Sequence, residues 1–238
     1  MIAFTGFPST AFTFLRGLAR NNRKDWFEAR RDTYENDVRA PMRALVDELD
    51  AVLGRIAPEF RGDPRKSMFR IHRDIRFSND KSPYKTHAAC WLFHADAGHG
   101  VGQEAHGGAG FYVHVEPGEC MIGGGLWMPP KPALDRIRDR LAEDPKSFER
   151  IMKGPALKRR FGSLSAEHVL TRVPRGYDPE HPAAAWLRYK SFTVGRSLPD
   201  SAVQSRALLK TVRTGIEAML PFVRWLNGAL GLSERATR

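Results

Sequence analysis

The stretch RIHRDIRFSNDKSPYKTH, residues 70–87, follows the point at which the chain changes from helical to strand-like periodicity. From residue 67 onward apolar and polar side chains alternate, which is the period of a β-strand. One side of this predicted strand is apolar apart from one arginine, and its members are Phe69, Ile71, Arg73, Ile75 and Phe77. The other side is polar, and its members are Arg70, His72, Asp74 and Arg76. A turn containing Pro83 then returns the chain toward the strand.

Strand-like segments continue after this turn. They are predicted at 87–94, 111–116 and 120–127, and the last two flank a Pro-Gly turn. Strands that follow one another without helical crossovers favour an antiparallel sheet. Strands are therefore expected to dominate residues 67–128.

Helical periodicity lies on both sides of this strand-rich region. It covers residues 9–56, returns at 131–143 and 145–153, and is predicted in a long amphipathic helix from about 200 to 229. Residues 131–196 are mixed, with further strands predicted at 169–173 and 187–194. We therefore predict an α+β fold, a single domain over residues 1–238 in which N-terminal and C-terminal helices flank a central antiparallel sheet.

The charge of the chain favours anionic partners. It has 38 lysines and arginines against 27 acidic residues, a net charge of +11 at pH 7. Such an excess suits nucleic acid, phosphorylated small molecules or an acidic membrane surface. No segment approaches the roughly 18 apolar residues of a membrane span, and residues 1–10 lack the features of a signal peptide. Because two cysteines make no disulfide framework, we expect a cytoplasmic protein.

Residues 70–87 also contain the predicted ligand site. Side chains two residues apart on a strand share a face, so the polar members would form one stripe. Arginine forks beside a histidine and an aspartate could hold a phosphate or carboxylate group. The turn would add two lysines and a tyrosine to this stripe. The candidate ligand-binding residues are Arg70, His72, Asp74, Arg76, Lys81, Tyr84 and Lys85.

Other interpretations fit the same residues. The stripe could bind nucleic acid together with the basic stretch at Lys158, Arg159 and Arg160. Alternatively, the charges could face solvent, or they could form an internal network in which Arg73, in an apolar row, needs a buried acidic partner. If the protein is an enzyme, His72 or Asp74 is the candidate proton carrier. The sequence indicates neither a reaction nor an oligomeric state.

A histidine-rich region follows the turn. Five of the eight histidines lie within it, at His87, His94, His99, His106 and His114. A metal site at His87, His94 and His114 is the weaker alternative, because no metal-binding spacing such as H-E-x-x-H or C-x-x-C is present. The glycine-rich stretch 96–110 leads into a strand and opens no helix, which favours a hairpin connection over a phosphate-binding loop, although loops of this length are sometimes lids. No motif for a nucleotide cofactor is present.

Several segments together resemble one protein family. They are RDIRFSNDKSPYKT at 73–86, NNRKDWF at 21–27, GFYVHVEP at 110–117, GGGLWMP at 123–129 and HPAAAWLRYK at 181–190. These segments resemble the bacterial and fungal family known as Domain of Unknown Function 2461, and they span nearly the whole chain. The resemblance implies a single-domain protein of about this length. It implies no activity, cofactor or catalytic residue.

Overall fold

A computed structural model describes residues 3–74, 76, 80–97 and 107–234. The fold is α+β, as predicted, with a five-stranded antiparallel sheet in the order β1-β2-β3-β4-β5. The strands are β1 (Phe60–Arg61), β2 (Ala88–His94), β3 (Gly110–Val115), β4 (Met121–Leu126) and β5 (Phe192–Ser197). None of the described helices combines the length and the apolar character needed to cross a membrane.

Helices precede the sheet and follow it. The N-terminal ones are α1 (Ser9–Arg20), α2 (Lys24–Glu28), α3 (Arg31–Thr33), α4 (Ala40–Ile56) and α5 (Pro64–Ser67), with a π-helical segment Tyr34–Arg39 before α4. The later ones are α6 (Lys131–Glu143), α7 (Pro145–Met152), α8 (Pro155–Phe161), α9 (Ala184–Leu187), α10 (Asp200–Val203) and α11 (Ala207–Ala229). A 3₁₀ turn, Ala95–Ala97, follows β2.

One face of the sheet forms the core with α4 and α11. Helix α11 packs against β3 and β4, while α4 packs against β1 and β2. The alternation of β3 places Phe111, Val113 and Val115 on this buried face. Gly124 of β4 permits the close approach of α11, since a Cβ there would lie 3.1 Å from the sulfur of Met219. Helices α4 and α11 therefore do not cover the opposite face of the sheet.

The described residues of the predicted strand at 69–77 do not form a regular strand. The segment makes isolated β-bridges from Met68 to Cys90 and from His72 to Tyr84. The carbonyl of Pro83 accepts the backbone N–H of Arg73. Pro83 has no N–H to donate in return, so the ladder of backbone hydrogen bonds stays short. The alternation nevertheless holds where it is described, because Ile71 is buried and Arg70, His72, Asp74 and Arg76 are exposed. The predicted positions of Ile75 and Phe77 lie outside the described residues.

Three predictions about the C-terminal half are wrong in detail. Residues 187–194 were expected to form a strand, but α9 ends at Leu187 and β5 begins only at Phe192. The strand expected at 169–173 is reduced to a single bridge between Val169 and Tyr189. The helix expected from 200 is divided into α10 and α11, because the Val203 carbonyl accepts the backbone N–H of Phe7. Tertiary contacts decide these boundaries.

Candidate functional site

The predicted ligand-binding residues fall into separate groups. Arg70 and His72 line a groove beside the N-terminal helices. Asp74 and Arg76 instead form an exposed, two-pronged ion pair, with hydrogen bonds of 3.0 and 2.7 Å. The Arg76 hydrogen bonds lower the pKa of Asp74 to about 2. Asp74 and Arg76 therefore bind each other, and neither residue lines the groove.

The turn residues of the predicted site also diverge. Tyr84 is buried, and its ring stacks on Phe27 with 4.2 Å between centroids. Lys85 extends toward the open face of the sheet, where its Nζ lies 5.2 Å from the Phe69 ring centroid. Burial and the nearby Arg70 lower the pKa of Lys85. Lys81 lies on the exposed turn, and residues 77–79 of that turn lie outside the described residues.

Arg73 takes the structural role that its apolar row predicted. Its Nη1 lies 3.1 Å from a carboxylate oxygen of Asp80, and its Nη2 donates to the Tyr84 carbonyl at 3.5 Å. Arg73 thus contacts both Asp80 within the turn and Tyr84 at its end. Its acidic partner is exposed, whereas the sequence led us to expect a buried one.

The groove that contains Arg70 and His72 is strongly basic. It has a volume of about 370 Å³, and its apolar floor includes Phe27, Tyr34 and Met68. One glutamate, Glu35, faces five arginines along its walls. These are Arg31, Arg39, Arg43, Arg65 and Arg70. We call this feature the basic groove.

The arginines of the basic groove differ in their partners. Arg31 pairs with Glu28 at 2.6 Å, and Arg39 pairs with Glu35 at 2.8 Å. Within residues 3–74, 76, 80–97 and 107–234, the guanidinium groups of the other three groove arginines have no carboxylate within 4.0 Å. They are Arg43 on α4, Arg65 on α5 and Arg70 in the 68–74 segment. Three separate elements therefore direct unneutralised cations into one groove.

The helical contribution to the basic groove was not predicted from sequence. Arg39 and Arg43 lie one helical turn apart, which places them on the same side. A π-helical segment at Tyr34–Arg39 supplies part of the wall, and such segments are frequent at functional sites. The four-residue spacing of Arg39 and Arg43 is visible in the sequence. Their position beside Arg70 depends on how α4 packs against the sheet.

A larger cleft lies on the face of the sheet opposite α11. Its volume is about 640 Å³. Its lining includes aromatic rings from four segments, at Phe69, Trp91, Tyr112 and Trp127. The floor is low where Gly123 of β4 and Gly195 of β5 are paired, because neither residue has a side chain. The buried indole Nε1 of Trp91 has no hydrogen-bond acceptor in the described part of the chain.

Three metal-ligating side chains meet on this same face, at His87, His114 and Glu116. In the β2–β3 register Ala89 lies opposite His114 and Ala88 opposite Val115, so His87 comes next to Glu116. Because side chains alternate along each strand, all three project from one face. One ligand atom from each residue lies within 4.8 Å of the other two. We call this group the histidine cluster.

Hydrogen bonds orient the histidine cluster. The Nε2 of His114 lies 3.0 Å from Oε2 of Glu116, and Nδ1 of His87 lies 3.7 Å from the same oxygen. The other nitrogen of His114 lies 3.0 Å from the Tyr112 hydroxyl, while Thr86 donates to Oε1 of Glu116 at 2.6 Å. The Nδ1 atom of His114 and the Oε1 atom of Glu116 thus each have a hydrogen-bond partner outside the cluster.

The environment also sets the protonation of this cluster. Burial, followed by the proximity of His114, lowers the pKa of His87 to about 4. Burial alone would raise the pKa of Glu116, but hydrogen bonds from Thr86 and His114 outweigh it and the pKa is lowered overall. Burial raises the pKa of Tyr112 to about 12. At neutral pH the cluster therefore holds a neutral His87 beside a Glu116 carboxylate.

The predicted trio of His87, His94 and His114 is only partly assembled. His94 lies at the far end of β2, about 23 Å along the strand from His87 at roughly 3.3 Å per residue. Its Nε2 lies 2.8 Å from the Ser233 carbonyl oxygen and its Nδ1 accepts the Asp96 N–H at 3.2 Å. Glu116 takes its place, and the His-x-Glu spacing on a strand was the signal for it. His99 and His106 lie outside the described residues.

The remaining candidate segments do not join either site. Lys158 and Arg159 are exposed on α8, which packs against β5 and α11. Both cysteines are buried, and burial raises the pKa of Cys90 to about 12 and that of Cys120 to about 11. They therefore remain protonated thiols at neutral pH, as expected for core residues.

Comparison with known proteins identifies a family for this chain. A family described as conserved hypothetical protein (DUF2461) matches residues 10–225. No curated protein and no solved structure matches the chain. The matched range includes both the basic groove and the histidine cluster.

Proposed function

We propose, for a chain that belongs to the DUF2461 family of conserved hypothetical proteins, that the basic groove binds an anionic small molecule with phosphate or carboxylate groups. The proposal keeps Arg70 and His72 of the predicted site and replaces the rest of the stripe with helix residues. The observation that carries it is the convergence of Arg43, Arg65 and Arg70, which lack a carboxylate partner among the described residues.

The chemistry of the groove suits an anion with an apolar body. Guanidinium groups match the geometry of phosphate and carboxylate oxygens and can bind them with two parallel hydrogen bonds. The floor at Phe27, Tyr34 and Met68 offers apolar surface to the rest of the ligand. Glu35 is already paired with Arg39, so it adds little repulsion toward an incoming anion.

The size and position of the groove favour a small molecule over nucleic acid. A volume of about 370 Å³ lies in the range typical of small-molecule sites, about 300–1,000 Å³. Helix α8 packs on β5 and α11, and its basic residues do not line this groove. Ion pairs within the segment account for Arg73 and for Asp74 and Arg76, but they do not account for Arg70.

Isothermal titration with pyrophosphate and with ATP tests the proposal. We expect saturable binding that Arg70→Ala or Arg43→Ala weakens about tenfold or more, because a hydrogen bond to a charged group contributes about 1.5–3 kcal/mol. Arg76→Ala is the matched control, since Arg76 lies in the same segment but pairs with Asp74 outside the groove. Thermal unfolding of each variant establishes that it is folded.

Three results would oppose the proposal. The first is an absence of saturable binding to either probe. The second is an equal loss of affinity in Arg76→Ala and Arg70→Ala, which would show a general charge effect. The third is tighter binding to a duplex oligonucleotide whose affinity falls steeply with salt, which would favour the nucleic-acid alternative.

A further inference from the structure

The histidine cluster is a second site, separate from the basic groove and independent of the function proposed for it. We propose that His87, His114 and Glu116 bind a divalent cation of the zinc class at the edge of the cleft on the open face of the sheet. Two imidazole nitrogens and one carboxylate oxygen form a ligand set that Zn²⁺ commonly uses. Magnesium and calcium prefer sites made of oxygen ligands alone, so this set discriminates against them.

The spacing of the ligand atoms fits such an ion. In a tetrahedral site with bonds of about 2.0–2.1 Å, neighbouring ligand atoms are about 3.3 Å apart. The Glu116 Oε2 lies 3.0 Å from His114 Nε2 and 3.7 Å from His87 Nδ1. The candidate ligand atoms of all three residues lie within 4.8 Å of one another, so side-chain adjustment would bring them to the spacing of a bound ion.

The groups around the ligands have the arrangement found at metal sites. A ligating histidine usually makes a hydrogen bond through its other ring nitrogen, and a ligating carboxylate is usually hydrogen-bonded as well. Here the Tyr112 hydroxyl lies beside Nδ1 of His114, and the Thr86 hydroxyl donates to Oε1 of Glu116. Both contacts leave the converging Nε2 and Oε2 atoms directed at the cluster centre.

The position of the cluster gives the ion access to the cleft. Three protein ligands leave the fourth tetrahedral position for water or for an oxygen or nitrogen atom of a bound molecule. Tyr112 joins the two features, because its ring lines the cleft and its hydroxyl contacts His114. Met121, which is paired with His114 across β3 and β4, lines the cleft as well.

Metal titration of the tag-free, metal-stripped protein tests this site. We expect one equivalent of Zn²⁺ to bind in competition with a chromophoric chelator, and Co²⁺ to give the visible absorption bands of a tetrahedral complex. Mg²⁺ in excess should not displace either ion. His114→Ala and Glu116→Gln should each weaken Zn²⁺ binding by more than the 10–100-fold typical of a lost supporting contact. Tyr112→Phe should weaken binding within that 10–100-fold range.

The matched control is His168→Ala, which removes a histidine 3.6 Å from Glu167 that lies outside the cluster. It should bind Zn²⁺ as the wild type does. Binding of Zn²⁺ that is unchanged in Glu116→Gln and Tyr112→Phe would overturn the proposal, as would the absence of a saturable equivalent in the wild type. These two variants nearly preserve side-chain shape, so the test still decides if His114→Ala fails to fold.

Discussion

The side-chain amide of Asn22 hydrogen-bonds both backbone groups of Tyr84. Its Oδ1 accepts the Tyr84 N–H at 3.0 Å, and its Nδ2 donates to the Tyr84 carbonyl at 2.8 Å. The Asn22 amide thus makes the two hydrogen bonds that a neighbouring strand would make to the Tyr84 backbone. Tyr84 is itself bridged to His72. Through this contact the segment after α1 fixes the return of the charged turn and places Arg70 and His72 beside α4.

Removing this contact should loosen the charged turn. We expect Asn22→Ala to lower the free energy of unfolding by about 1–3 kcal/mol, because partly buried backbone groups of Tyr84 lose their partner. Asn21→Ala is the neighbouring control, since the Asn21 amide donates to the carbonyl of Gly17 within its own helix end and not to the charged turn. Urea unfolding followed by circular dichroism measures both. Equal effects of the two substitutions would contradict the role given to Asn22.

The ion pair between Glu59 and Arg224 should be important for stability. Glu59 is 1% exposed, and its Oε1 lies 2.7 Å from Nε of Arg224 on α11. Arg224→Met leaves a buried carboxylate without its cation, so we expect a loss of about 3–5 kcal/mol in unfolding free energy. Adding Glu59→Gln to that variant should recover part of the loss.

The control for this pair lies on the same helix. Arg213 of α11 pairs with Glu217 at 3.0 Å, but both side chains are exposed. We expect Arg213→Met to change the unfolding free energy by less than about 1 kcal/mol. A loss in Arg213→Met as large as that in Arg224→Met would show that burial of Glu59 is not the cause.

Two glycines of the sheet should respond differently to substitution. Gly125 has a φ of +123°, and a Cβ there would collide with the Phe192 carbonyl oxygen. We expect Gly125→Ala to destabilise the protein by about 2–5 kcal/mol, combining backbone strain with overpacking. Gly195→Ala should be tolerated, because its Cβ would lie 2.8 Å from the flexible end of Met121 and an ordinary 3.8 Å from the Ile122 carbonyl oxygen. Thermal unfolding of both variants makes the comparison, and similar melting temperatures would refute it.

Alkaline pH should destabilise the protein through Tyr34. Burial raises the pKa of Tyr34 from 10.0 to about 12. A raised folded-state pKa contributes stability that is fully present below pH 10 and is lost as the pH rises toward about 12. We expect unfolding free energy to fall over this range, and Tyr34→Phe to make the fall shallower. The near-ultraviolet absorbance of tyrosinate in folded and urea-unfolded protein measures the shift directly. A folded-state titration near pH 10 would rule it out.

Local patterns account for the parts of the fold that the sequence predicted well. Strands β2, β3 and β4 and helices α6 and α7 lie within one or two residues of their predicted bounds, because each has a clear period and a turn or proline at its end. The alternation of residues 70–76 also placed the exposed side chains correctly. Short elements such as β1 escaped prediction, since two residues carry no period.

The sequence determined which side of the segment Arg70, His72, Asp74 and Arg76 lie on, together with the α+β class and the charge excess. Only the tertiary structure decided which segments meet. It joined Arg70 to Arg43 and Arg65 from two helices, paired Asp74 with Arg76, and exchanged His94 for Glu116 beside His87 and His114. The physical reason is that side-chain direction follows from the local backbone period, whereas strand register and helix packing depend on burying apolar surface between residues far apart in the chain.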